Sequence, residues 1–79
     1  MKIFRVFKQE GQVSDVLNNI EETTIGYYKD YVDALSTLEQ IVLENLDTFE
    51  VADYSDKISY FCIKDGEEFS YNLEIIRVK

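Results

Sequence analysis

Carboxylates are the side chains whose spacing first invites a chemical reading. Asp47, Glu50, Asp53 and Asp56 recur at every third position, and the chain as a whole holds 16 acids against 8 bases in 79 residues. Two carboxylates can share acid–base work when one sits in an apolar pocket that raises its pKa. At this density close pairs arise without any such design, and the one acid inside an apolar run, Glu74, alternates outward from Leu73 and Ile75. Histidine is absent, which removes the usual general base and the Ser-His and Cys-His nucleophile systems. There is no glycine-rich phosphate loop. Asp53, Asp56 and Asp65 lack the ligand spacing of a calcium loop. Cys62, the single cysteine, has no flanking base to lower its pKa and reads as a small apolar side chain. The expectation is a protein that is not an enzyme and uses neither cofactor nor metal.

The carboxylates carry more meaning as a field. The formal net charge is −8. Residues 9–56 hold 12 acids and one base, Lys29, so that segment is −11 and the remainder is +3. Such a surface is repelled by nucleic acid and by anionic membranes and is attracted to basic protein surfaces. The candidate partner-binding residues are therefore Asp33, Glu39, Glu44, Asp47, Glu50, Asp53 and Asp56, with Tyr54 as an aromatic anchor. The plainer alternative is that the acids only keep a small protein soluble.

The elements that must position these groups can be read from the apolar pattern. Hydrophobic residues make up 46 % of the chain, enough for a core, and 79 residues are expected to form a single domain, residues 1–79. KIFRVFK, residues 2–8, is strand-like with apolar residues on both faces, and Gly11 is expected to end it. Val13, Val16, Leu17 and Ile20 have the spacing of one helix face, which predicts a short helix near residues 14–20 with Ser14 as its cap. ETTIGYY, residues 22–28, returns to strand. Asp30 then caps a helix over residues 31–46, with Asp33 completing a capping box. Tyr31, Ala34, Leu35, Leu38, Ile41, Val42 and Leu46 form its apolar stripe, opposite Asp33, Thr37, Gln40 and Glu44. Residues 48–54 read as a short strand or an extended edge. KISYFCIK and EEFSYNLEIIRVK flank Asp65-Gly66, a two-residue hairpin signal. Counting outward pairs Lys64 with Glu67, Cys62 with Phe69, Tyr60 with Tyr71 and Ile58 with Leu73.

The fold class that follows is α+β: a four-stranded antiparallel sheet with one main helix packed on one face, in the order ββαββ. One helix leaves the back of the sheet uncovered. Phe61, Ile63 and either Ile3 and Phe7 or Phe4 and Val6 should point there, which predicts homodimerisation through Phe61 and Ile63.

The opening MKIFRV, the strand-to-helix passage GYYKDYVDAL and the closing LEIIRVK resemble the small uncharacterised proteins of phage and prophage genomes that share a ββαββ plan. In size, acidity and lack of catalytic residues the chain is also similar to phage inhibitors of bacterial defence, anti-CRISPR and anti-restriction proteins, some of which imitate DNA with surface carboxylates. That likeness implies a cytoplasmic protein of a bacterial host that inhibits a nucleic-acid-binding protein by stoichiometric binding. The alternative is a non-inhibitory interaction or assembly module that dimerises through its exposed sheet face. The absence of a long apolar run agrees with no membrane role.

The hairpin reading has a direct check. Gly66 would occupy a turn position with positive φ, which side chains adopt at a cost. Gly66→Val is expected to lower stability by about 1 kcal/mol or more in urea denaturation, and an unchanged midpoint would remove the turn.

Overall fold

The computed structural model of the chain describes residues 1–12, 21–64 and 67–78. Strands β1 (Lys2–Gln12) and β2 (Glu21–Tyr28) are followed by helix α1 (Tyr31–Asn45) and then by β3 (Glu50–Asp53), β4 (Lys57–Lys64) and β5 (Glu67–Arg77). All pairings are antiparallel, and the sheet order is β2-β1-β5-β4-β3.

The sheet thus has five strands, and the element order is not ββαββ. The additional strand is β3, which pairs Glu50 with Phe61 through to Asp53 with Ile58. Its two acids in four residues mask its apolar alternation. What fixes it is tertiary: Phe49 meets the Tyr60 ring edge-on at 5.5 Å, and the Tyr54 N–H donates to the Lys57 carbonyl at 2.7 Å. Strand β1 also departs from expectation. It runs through Gly11 to Gln12, since β5 offers eleven partners, from Lys2↔Arg77 to Gln12↔Glu67. A glycine does not end a strand that has a full-length neighbour. The expected helix near residues 14–20 lies outside the described residues, as do residues 65 and 66. The strands flanking them pair Lys64 with Glu67, Cys62 with Phe69, Tyr60 with Tyr71 and Ile58 with Leu73, the register expected from the turn.

Helix α1 begins where the sequence places it, but not by the expected means. Asp30 is the N-cap residue, with extended φ and ψ of −108° and 131°, yet its carboxylate makes no capping hydrogen bond. Its carbonyl accepts from Ala34 N–H. Asp33 lies in the first turn, where a negative charge still complements the helix dipole. Ala34, Leu38 and Val42 are buried, flanked by Leu35, Ile41 and Leu46. They press onto Phe4, Val6, Tyr71 and Leu73 of the two central strands. The two-faced strand β1 is thereby resolved: Phe4 and Val6 face the helix, and by alternation Ile3 and Phe7 face away. Tyr28 packs against the core, while Tyr27 is exposed. Its ring lies over Gly26, where an added Cβ would stand 3.0 Å from the Tyr28 hydroxyl.

Leu38 is fully buried at the centre of this cluster. Leu38→Ala is expected to cost about 2–5 kcal/mol, a large share of the stability of so small a domain. Near-wild-type urea stability of that variant would contradict the packing described.

Candidate functional site

The helix and β3 carry the acidic surface. Residues 30–56 contain eight acids and no base. Asp33, Glu39, Glu44, Asp47, Glu50, Asp53, Tyr54 and Asp56 are all exposed. They do not form one cluster. Asp33 and Glu44 share a helix stripe, eleven residues apart, with the Gln40 amide donating to the Glu44 carboxylate at 3.3 Å. Glu39 stands about a third of a turn round the helix from them, on the side toward β4 and β3. Burial pushes the Tyr60 phenol up, and the negative charges of Glu39 and, less strongly, Asp53 add to that shift. Asp47 borders a cavity of about 460 Å³ beneath the end of α1, with Lys8, Cys62, Phe69 and Tyr71. Glu50 borders an adjoining cavity of about 400 Å³ with Phe49, Phe61 and Cys62. Cys62 is half-buried there, short of the full burial its apolar neighbours suggested. Asp56 is drawn away from the surface field by Arg77 at 3.2 Å. Among the described residues it is the only one of the seven candidate acids with an ion-pair partner.

Three exposed apolar residues beside these acids escaped the sequence reading. Val32 is 71 % exposed, Leu43 74 % and Val51 54 %. Val32, Ser36, Glu39 and Leu43 repeat at i, i+4, i+7 and i+11, so they form one stripe. The signal was present in the sequence, since Val32 and Leu43 are the apolar helix residues that fall outside the core stripe. Val51 lies in the stretch read as a short strand or an extended edge, and the face it presents is set by its pairing with Tyr60.

The back of the sheet is not the open apolar patch that the pattern suggested. Phe7 is only 2 % exposed. The Arg5 guanidinium stacks on its ring at 4.3 Å, and Lys57 Nζ approaches the same ring at 5.7 Å. Arg5 also clamps three strands. It donates to Glu74 of β5 at 2.9 Å, to Glu22 of β2 at 2.8 Å and to Thr24 Oγ1 at 3.0 Å. These partners account for the exposed-looking Glu74 as one half of an ion pair. Next to them Asn72, fully buried, accepts from Ser59 Oγ at 2.6 Å and donates to Ser70 Oγ at 3.0 Å. Among the described residues no buried side-chain polar atom lacks a partner. Phe61 lies on this face, half-buried. The Ile63 side chain lies outside the described residues. Among those residues no helix is long and apolar enough to cross a membrane, and no three metal-ligating side chains converge.

The clamp has a pH signature. Hydrogen bonds from Arg5 and then Gln9 hold the Glu22 carboxyl below its ordinary value, while Glu74 foremost and Glu22 raise that of Arg5. A carboxyl lowered in the folded state adds stability above its unfolded pKa, near 4.3, and loses it as pH falls through the folded value. Arg5 adds no pH dependence below the alkaline range. Glu22→Gln should therefore flatten the acid limb of the stability curve, by no more than about 0.2–1 kcal/mol because the pair is partly exposed. Arg5→Ala, which also uncovers Phe7, should cost about 1–3 kcal/mol at pH 7. Thermal melts from pH 3 to 7 read both effects.

Comparison with protein-family models, with curated proteins and with solved structures returned no match.

Proposed function

We propose that this chain is a small, phage-type binding protein that acts by occupancy and not by turnover. Its acidic α1–β3 side would dock into the basic, nucleic-acid-binding site of a bacterial defence or other host protein and inhibit it stoichiometrically, in the host cytoplasm. The observation that supports this reading is the segregation of charge. Eight acids and no base lie between residues 30 and 56, with the seven candidate acids all exposed. Arg5 and Lys57 are engaged over Phe7 on the face of the sheet away from the helix, a face that Glu50 shares through its pairing with Phe61. Lys8 is the base beneath the end of α1. A segregated field gives fast, salt-sensitive association with a cationic groove and repels nucleic acid itself. The exposed Tyr54, Val32, Leu43 and Val51 supply the apolar contacts that convert steering into affinity. The alternative, a module that dimerises through Phe61 and Ile63, draws on a face that Arg5 already partly covers.

The test uses the chain as bait in a bacterial lysate, beside the triple variant Glu39→Lys, Glu50→Lys, Asp53→Lys and the variant Phe61→Asp. The expected result is a nucleic-acid-binding protein that is retained by wild type and Phe61→Asp and displaced by added duplex DNA. The triple variant should lose it by at least tenfold in affinity. Raising salt should weaken the wild-type complex, since exposed charges are screened beyond about 8–10 Å at 0.1–0.15 M ionic strength. Binding indifferent to salt, DNA and charge reversal but abolished by Phe61→Asp would replace this reading with the dimerisation module.

A further inference from the structure

Strand β3 ends the sheet, and its outer edge has no strand beside it among the described residues. The Tyr54 N–H bond to the Lys57 carbonyl sets the alternation along it. Backbone groups of Ala52 and Glu50 turn toward β4, and those of Val51 and Asp53 turn outward. The other edge, β2, is interrupted. Its register on β1 jumps from Val6↔Gly26 to Phe7↔Thr24, which leaves Ile25 as a bulge, a common way of blunting an edge against added strands. Strand β3 pairs with β4 without any such break.

We infer that the outer edge of β3 accepts an extended basic segment of the partner as a sixth, antiparallel strand. This rests on the function proposed above and specifies which element of the partner is bound. Charge selects the occupant. A second copy would bring its own Glu50 and Asp53 within the roughly 13 Å length of a four-residue strand, four carboxylates with no base to offset them. A basic strand meets the opposite situation. Read against Asp53, Ala52, Val51 and Glu50 in that order, the complementary segment is basic, small, apolar, basic. Its apolar residue packs on the half-exposed Val51, and its backbone bonds to the outward groups of Val51 and Asp53. This is strand addition, in which the backbone supplies affinity and alternate side chains supply selectivity.

The experiment titrates a fluorescent, end-blocked ten-residue peptide centred on Lys-Thr-Val-Lys into the full chain at low salt. Two controls have equal charge. One is centred on Thr-Lys-Lys-Val, and the other is N-methylated at the first Lys and the Val of the central motif, which removes the donors facing β3. The expected result is at least tenfold weaker binding of both controls. The variant Val51→Pro, which deletes an outward N–H that β4 does not use, should lose the same factor. Its fold is checked by circular dichroism, and the methylated peptide decides the matter if that variant fails to fold. Equal affinity for the three peptides would overturn strand addition and leave simple attraction to an acidic surface, with the proposed function intact. No binding of the peptide, alongside DNA-displaceable capture of a lysate protein, would likewise overturn this inference alone. A dimer in sedimentation that Val51→Pro dissociates would assign the edge to a second copy and overturn it too.

Discussion

Among the described residues a single helix serves a five-stranded sheet, and most of the structure follows from that constraint. A 15-residue helix is about 22 Å long and 10 Å wide, while five strands span about 19 Å between the outer two. One face of the central strands can be sealed by Ala34, Leu38 and Val42. Among the described residues the other is finished by the sheet's own side chains. Arg5 does this by lying over Phe7 with its charge shared between Glu22 and Glu74. The Ser59–Asn72–Ser70 chain fills the adjacent positions with polar groups that satisfy one another. A guanidinium suits the task, since it stacks on an aromatic ring while its fork bonds carboxylates on both neighbouring strands.

This solution also arranges the charge. The clamp engages Arg5 and places Lys57 beside it on the back of the sheet. Helix α1 and β3 themselves carry acids and no base, with Lys29 just before the helix and Lys8 beneath its end beside Asp47. Fold and surface field are therefore linked through the same few residues. β1 carries the clamp and is paired along both edges, and β5, its longest partner, comes from the far end of the chain. Pairing across such a sequence separation closes a large loop, so the polar face is completed only when both ends of the chain have met.

Where local chemistry fixed the outcome, the sequence was readable. Asp65-Gly66 between two alternating runs specified the β4–β5 register down to Ile58↔Leu73, since a turn length leaves one pairing that keeps like faces together. The stripe from Ala34 to Leu46 specified which side of α1 is buried. Features that depend on neighbours were at best half readable. Residues 48–54 read as a short strand or an extended edge, and β3 forms there, but what holds it, Phe49 against Tyr60 and the pairing with β4, does not show in Glu50–Asp53 itself. Phe4 and Val6 could not be told from Ile3 and Phe7 while both sets alternate equally well. Arg5 looked like an interruption in an apolar strand because its partners are 17 and 69 residues away. At the candidate site the acids were legible by count. Their division between a Glu39–Asp53 side and an Asp33–Glu44 stripe required the helix to be placed on the sheet.

The end of α1 bears on whether the acidity serves more than solubility. The last turn carries no base, Glu44 lies within it, and Asp47 follows two residues after its end. Negative charges there face the negative pole of the helix dipole, at about 0.3–1 kcal/mol each, and Asp30 gains no capping bond in return at the other end. Solubility asks only for a net charge a few units from zero and is indifferent to where the charges sit. Exchanging one of these acids with a base from the back of the sheet would leave the net charge unchanged and relieve the dipole. The observed arrangement instead keeps bases off the helix and β3 at some expense in stability. Under the proposed function that arrangement serves a surface that meets a cationic partner, and solubility alone does not call for it.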